Sequence, residues 1–249
     1  MTSTAQTMKA RSICVVVPCY NNVGTVVDVL RQVSQYTPDI IFVNDGSTDG
    51  SLAAVQGSGL DVDVVDLPHN GGKGKALLAG FARAKERGFQ YAITLDSDGQ
   101  HYADDLPSFV DECDGSLIVG RRIMGDADRS QGSSFANKFS NFWFTVQTWR
   151  HLSDTQTGYR LYPLEKLRWT RLITSRYEAE LEMLVFAAWR GVKIKEIPIK
   201  VYYPPRAERV SHFRPFKDFG RISLLNTALC LGAAIYGWPM TLWHKLAKK

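Results

Sequence analysis

Two carboxylates, Asp96 and Asp98, stand one residue apart in Leu95-Asp96-Ser97-Asp98-Gly99-Gln100-His101. They follow an apolar run, Tyr91-Ala92-Ile93-Thr94-Leu95, that reads as a buried strand. Where a strand leaves a sheet at its carboxyl edge, alternate residues turn toward the crevice in which open α/β sheets bind ligands. Two hard oxygen donors at that place suit Mg²⁺ or Mn²⁺, which bind through one or two carboxylates and the phosphates of a substrate. An Asp-rich turn is the other reading, since Asp, Ser and Gly are common turn formers. On this segment alone the two stand level.

Three further loops carry chemistry of the same kind. Pro18-Cys19-Tyr20-Asn21-Asn22 follows the run Ile13–Val17, and Tyr20 there could lie beside a base. Asn44-Asp45-Gly46-Ser47-Thr48-Asp49-Gly50 follows Ile40–Val43, and Asp45 could accept hydrogen bonds from a base or ribose. Asn70-Gly71-Gly72-Lys73-Gly74-Lys75 opens a helical stretch, where free backbone N–H groups and two lysines favour an anion. Each loop read singly is an ordinary turn or a solvated lysine. Together, on one edge of one sheet, the ordinary reading of all three needs several coincidences.

The elements that must hold these loops alternate. Runs at Ile13–Val17, Ile40–Val43, Val62–Val65 and Tyr91–Leu95 read as strands, and Thr25–Tyr36, Gly50–Gln56 and Lys73–Arg87 carry helical spacing. In the last of these Ala76, Leu77, Gly80, Phe81 and Ala84 share one face. This order predicts an α/β fold with a mostly parallel central sheet covered by helices on both faces. No GxGxxG follows the first strand and no GxxxxGK[ST] occurs, which excludes the dinucleotide fingerprint and the P-loop.

The chain has 249 residues, 45% of them hydrophobic, enough for one large α/β domain. Its four cysteines form no CxxC and its five histidines no HxxxH, so neither a zinc site nor a disulfide framework is expected. The polar start, Met1–Arg11, has no apolar core of a signal peptide, and a cytosolic protein is expected. The net charge of +5 concentrates between Arg190 and Arg221 and at Lys245, Lys248 and Lys249. That surface suits anionic headgroups or phosphorylated substrates; no RNA-recognition or helix-turn-helix signature accompanies it, and nucleic acid is not an expected partner.

Taken in order, these segments resemble the family 2 glycosyltransferases of the GT-A fold, in the branch of the dolichyl-phosphate-mannose synthases. Val16-Val17-Pro18-Cys19-Tyr20-Asn21-Asn22 is similar to VxIPxYNE, with Asn22 in place of Glu. Val43–Asp49 resembles VDDGSxD, Asn70–Leu77 resembles NxGKGxAL, and Asp96–His101 resembles DADxQ. Val119-Gly120-Arg121-Arg122 resembles VGSR, and Asp154–Arg160 resembles DxxSGFR. Arg206–His212 stands where the family has RxxGxSK, with Arg209 for Gly and His212 for Lys. The resemblance runs from about Ser12 to Ser211.

The resemblance implies a GT-A domain over 12–211 and an inverting, metal-dependent transfer of a hexose from a GDP- or UDP-sugar. Asp96, Asp98 and Gln100 would hold the Mg²⁺ or Mn²⁺ against the donor diphosphate. Arg122 would add positive charge at the leaving group, as would Arg206. Pro18, Tyr20, Asn22, Asp45, Lys73 and Ser211 would complete the substrate contacts. The expected acceptor is lipid-linked, first of all a polyprenyl phosphate, which is ionised at neutral pH and needs no base. A hydroxyl of another lipid or glycan is the alternative, and Asp154 would then take its proton. A catalytically silent nucleotide-sugar-binding subunit is the third reading.

Two apolar stretches point to a membrane surface. Ser133–Trp149 places Phe135, Phe139, Phe142, Val146 and Trp149 on one helical stripe, which reads about equally as core and as an interfacial face. Ile222–Trp243 has no charge and lies between Arg221 and His244-Lys245. Asn226 and Pro239 are expected to interrupt it and Gly232 and Gly237 to weaken it, leaving a re-entrant or interfacial anchor in a segment 212–249. The chain is thus expected at the cytoplasmic face of a membrane.

Overall fold

The computed structural model describes residues 3–123, 131–167, 172–176, 178–202 and 215–247. Seven strands form one sheet in the order β3-β2-β1-β4-β6-β5-β7. They are β1 (Ile13–Cys19), β2 (Ile40–Asn44), β3 (Asp63–Asp66), β4 (Tyr91–Thr94), β5 (Leu117–Arg122), β6 (Arg160–Pro163) and β7 (Ile194–Ile199). All pairings are parallel except those of β6, which runs antiparallel to both β4 and β5.

Every residue of β1 is buried, because helices cover both faces of the sheet. Its alternation sorts the core into two layers. Ile13, Val15 and Val17 face α2 (Val26–Ser34) and α5 (Leu106–Asp111), together with α1 (Ser3–Ala10). Cys14 and Val16 face α4 (Lys73–Glu86) and α7 (Glu178–Trp189). The three predicted helices and four predicted strands form within one or two residues of their expected limits; α3 is Ser51–Gln56. Helix α1 is an addition. Its sequence is mostly polar, and it docks by only Ala5 and Met8.

The remaining helices pack beside α7. In α6 (Gln131–Thr148) the inward residues are Ser140, Phe144, Gln147 and Thr148. The expected aromatic stripe is therefore split: Phe142 and Trp149 are exposed, Phe139 and Val146 are half-buried, and the Phe135 side chain lies outside the description.

The C-terminal stretch corrects the expected interruption. Helix α8 (Pro215–Gly232) runs through a π-turn (Ala233–Gly237) directly into α9 (Trp238–Leu246). Pro239 sits in the first turn of α9, where its missing N–H is tolerated after the widened π-turn. Asn226 is buried and its Oδ1 accepts from Gln147 Nε2 at 3.0 Å, so it joins α8 to α6 rather than breaking the helix. Gly232 and Gly237 face the Trp189 ring, which a Cβ at either would crowd. Among the described residues Gly220–His244 is the one helical run long and apolar enough to cross a membrane, by length and composition. Its inner face holds Leu225, Leu229 and Ala233; Leu224, Leu231, Ile235, Leu242 and Trp243 are exposed.

Candidate active site

The carboxyl ends of β1, β2 and β4 and the loop entering β6 meet at one edge of the sheet. Reversal of β6 is what brings its incoming loop there. Thr94 Oγ1, at the end of β4, donates to Gly158 O at 2.6 Å and fixes that loop against the Asp96 turn.

Asp96 and Asp98 lie in this crevice in different electrostatic settings. Burial works to raise the Asp96 carboxyl, but the Lys73 ammonium at 2.7 Å more than offsets it and holds it below the usual carboxylate range. Asp98 is pushed up to about 6, by desolvation first and then by the negative charge of Asp96. Its Oδ1 accepts the Gln100 N–H at 3.0 Å. A carboxylate raised in this way beside another is a position where an added cation is stabilised. Among the described residues no group of three or more His, Cys, Asp or Glu could hold a metal ion. The pair thus fits Mg²⁺ or Mn²⁺ completed by ligand oxygens and water, and it does not fit a metal caged by protein alone.

Lys73 is not a solvated lysine. Its ammonium lies between Asp96 Oδ1 at 2.7 Å and Glu180 Oε2 at 2.9 Å, which together raise its pKa against burial. Gly158 closes the third side: a Cβ there would lie 2.5 Å from Lys73 Nζ and 2.6 Å from Asp96 Oδ2.

The glycine-rich turn before α4 departs from expectation. Asp45 accepts the N–H groups of Gly71 at 2.8 Å and Gly72 at 2.9 Å, and the Gly74 N–H goes to Ser175 O at 2.8 Å. The N–H groups of Gly71 and Gly72 at this helix start are taken by the protein's own buried Asp45. Gly72 has φ +92°, a conformation that favours glycine, and a Cβ would lie 2.5 Å from Ser175 O.

Pro18 is buried within β1 in register with Val43, and Tyr20 follows directly after the end of that strand. Asn22 does not stand free for a nucleotide: its Nδ2 donates to Ser97 Oγ at 2.8 Å. The first loop is thereby tied to the Asp96–Asp98 turn. Gln100 O accepts the Tyr202 N–H at 2.8 Å, so the chain leading toward Arg206 and Ser211 starts beside the same turn. Arg206 and Ser211 themselves lie outside the described residues.

Arg122 and Asp154 form the other cluster. Arg122 Nε and Nη2 donate to Asp154 Oδ2 at 2.6 Å and Oδ1 at 2.9 Å, a two-pronged fork. The Asp154 side chain is 4% exposed. Glu196 Oε1 takes the N–H groups of Ser153 and Asp154, and Asn141 Oδ1 takes that of Thr155. Fully buried Arg160 then ties the loop to α7, donating to Thr155 O, Thr157 O and Glu180 O at 2.9, 2.8 and 2.7 Å. Buried His101, pushed down to about 4 by desolvation, lies within the electrostatic reach of Asp96, Lys73, Arg122 and Asp154 and so spans both clusters.

Glu180, Glu196, Asn141, Arg160 and His101 were not singled out from the sequence as site residues. A signal for Glu180 existed. The helix Glu178-Ala179-Glu180-Leu181-Glu182-Met183-Leu184 sets acids among apolar residues, and buried acids require partners.

Residues 14–168 match the family model Glycosyl transferase family 2. The chain is 30% identical over 203 residues to polyprenol monophosphomannose synthase of Mycolicibacterium smegmatis, covering 74% of this chain and 75% of that protein. It is 26% identical over 246 residues to UDP-N-acetylglucosamine–dolichyl-phosphate N-acetylglucosaminyltransferase of Methanococcus voltae, covering 88% of this chain and 98% of that protein. Glucosyl-3-phosphoglycerate synthase from Mycobacterium tuberculosis, crystallised with Mn²⁺, uridine diphosphate and phosphoglyceric acid, shares the fold. Its TM-score is 0.68 at 20% identity, over 92% of this chain and 81% of that one.

Proposed function

The chain belongs to glycosyl transferase family 2, and we propose that it moves a hexose, with inversion, from a GDP- or UDP-sugar to a polyprenyl phosphate at the cytoplasmic face of a membrane. Asp96 and Asp98, with Gln100, hold Mg²⁺ or Mn²⁺, which when bound neutralises the leaving diphosphate. Tyr20 lies beside the base, with Pro18 and Asn22 shaping that end of the crevice and Asp45 setting its floor. Lys73 adds fixed positive charge behind Asp96. The resemblance assigns phosphate contacts to Arg206 and Ser211.

The observation that carries the acceptor assignment is the Arg122–Asp154 fork. Both oxygens of the carboxylate expected to act as a base are engaged by a guanidinium. The fork orients the Arg122 guanidinium as a cation near phosphate oxygens, and it leaves Asp154 poorly placed to take a proton. A phosphate acceptor brings its own charge and requires no base. The solvent-facing apolar side of α8 and α9, in the segment 212–249, holds the enzyme on the bilayer that contains such an acceptor.

The test is transfer from labelled UDP- and GDP-hexoses by the purified full chain, with Mn²⁺ and polyprenyl phosphate in vesicles. The expected product is a lipid phosphate sugar of inverted anomeric configuration. Transfer to glycan or lipid hydroxyls alone overturns the acceptor assignment. Nucleotide-sugar binding with no transfer to any acceptor supports a silent subunit instead.

A further inference from the structure

Four charged side chains share the floor of the crevice: Asp96, Asp98, Glu180 and Lys73. With all of them ionised these four side chains sum to two negative charges, eased by the nearby Arg160 guanidinium, and the excess suits a divalent cation. Lys73 sits between two acceptors of unequal commitment. On the Asp96 side it faces a carboxylate that the same cation needs. On the other side Glu180 Oε2 holds it, while Glu180 Oε1 is buried without a hydrogen-bond partner. Glu180 therefore has unused acceptor capacity next to the ammonium, and α7 cannot drift away because Arg160 clamps the Glu180 carbonyl. Gly158 leaves room for both groups on the loop side, since a Cβ there would meet Lys73 Nζ and Asp96 Oδ2.

We propose that Lys73 and a divalent cation compete for Asp96, and that Glu180 is a positioning residue that takes up the ammonium when Asp96 turns to the cation. This rests on the reading of Asp96 and Asp98 as the metal-binding pair. In the metal-free enzyme Lys73 keeps Asp96 ionised and oriented. When a cation arrives, the ammonium gains the second oxygen of Glu180 and loses its contact with Asp96. Glu180 thus sets how much of Asp96 is available.

The two residues should then act in opposite directions on metal binding, and Glu180→Gln should do so only while Lys73 is present, which the simple loss of one negative charge would not do. Without Glu180 the ammonium leans wholly on Asp96; without Lys73 the competitor is gone. Mn²⁺ binding to the full chain is measured by electron paramagnetic resonance of the free ion, with and without UDP, alongside thermal unfolding. Glu180→Gln should weaken Mn²⁺ binding about tenfold, and Lys73→Met should tighten it about tenfold; each corresponds to roughly 1.4 kcal/mol. At saturating Mn²⁺ the Glu180→Gln enzyme should recover most of its kcat, so that its defect lies in the metal dependence. Lys73→Met leaves buried Glu180 and half-buried Asp96 without their ammonium and could fail to fold. Lys73→Met/Glu180→Gln removes both charges, should fold, and should bind Mn²⁺ about tenfold more tightly than wild type; binding equal to wild type is the additive result of two independent charges and overturns the competition. Shifts of the same sign, or no shift, overturn the competition. Mn²⁺ binding to wild type that Asp98→Asn does not reduce, or no binding at all, overturns the metal assignment and this inference with it.

Discussion

Arg122 grips Asp154 through two hydrogen bonds, 2.6 and 2.9 Å long, from the end of one strand to the loop that enters its antiparallel neighbour. Each residue has a role in the sequence-based expectation, one as a cation and one as a base. Their pairing makes those roles interdependent, since neither can be changed without releasing the other.

Asp154→Asn should therefore behave as a positioning defect. Removal of a general base typically costs on the order of 10²–10⁴ in rate. With a lipid phosphate supplied, single-turnover transfer should fall by less than about 10², independently of pH from 6 to 9. Arg122→Lys and Asp154→Asn should also be strongly non-additive, because both break the same fork. A large loss rescued at high pH would assign base catalysis to Asp154 and overturn the phosphate acceptor.

Asp98→Asn should abolish transfer while the chain stays folded. The substitution removes a carboxylate that is raised by burial and by Asp96, so the folded state loses little. Electrostatic stabilisation of a leaving group at one such position is worth about 10²–10³ in kcat. Thermal unfolding near the wild-type temperature with lost turnover is the expected pair of results; normal turnover rules Asp98 out as a metal ligand.

Gly158→Ala places a methyl group where Lys73 Nζ and Asp96 Oδ2 already lie. Overpacking of this kind costs about 1–3 kcal/mol. Here the neighbours are the charged centre itself, so donor binding should fall more than tenfold (~1.4 kcal/mol) even in preparations that remain folded. Isothermal titration with UDP and Mn²⁺ reads both effects.

Asp63 fastens the edge strand β3 to α4, the helix whose first residue is Lys73. Burial works to raise Asp63, but hydrogen bonds from Arg83 and Arg87 outweigh it and hold its pKa below the usual value. A carboxyl depressed in the folded state adds stability that is present above its unfolded pKa of about 3.9 and disappears as pH falls through the lower folded value. Both arginines are well exposed, so the contribution is about 1 kcal/mol or less. Asp63→Asn should lower stability at neutral pH by that amount and flatten the wild-type loss below about pH 4, as followed by urea unfolding.

Ile235 is 81% exposed and Leu242 49% exposed on the outer side of the C-terminal helices. Ile235→Glu/Leu242→Glu should reduce sedimentation with anionic vesicles severalfold while shifting stability by no more than about 0.5 kcal/mol per site, as expected for surface changes. Unchanged vesicle binding would move the membrane contact elsewhere on the chain.

The loops after β1, β2 and β4 were legible in the sequence because their chemistry is local. A strand end, a turn and two or three polar residues lie within one stretch of chain. The partners Glu196 and Asn141 were not legible, since each reaches its loop from a distant strand or helix, and the buried acids of α7 signalled that Glu180 has a partner without saying which. Helix α1 left little trace because only Ala5 and Met8 enter the core. Pro239 suggested a break that the preceding π-turn absorbs, a local change of helical pitch that residue propensities do not encode.

The reversal of β6 has a consequence for how such a chain can diverge. The loops after β1, β2 and β4 form one wall of the crevice from the first half of the chain. The loop entering β6 forms the facing wall from a later segment, joined to the first across the β4–β6 ladder. A duplicated gene could therefore vary one wall by substitution or insertion at loops without shifting the register of the other. Only a change where the walls touch, at Thr94 and Gly158, is in this architecture felt by both.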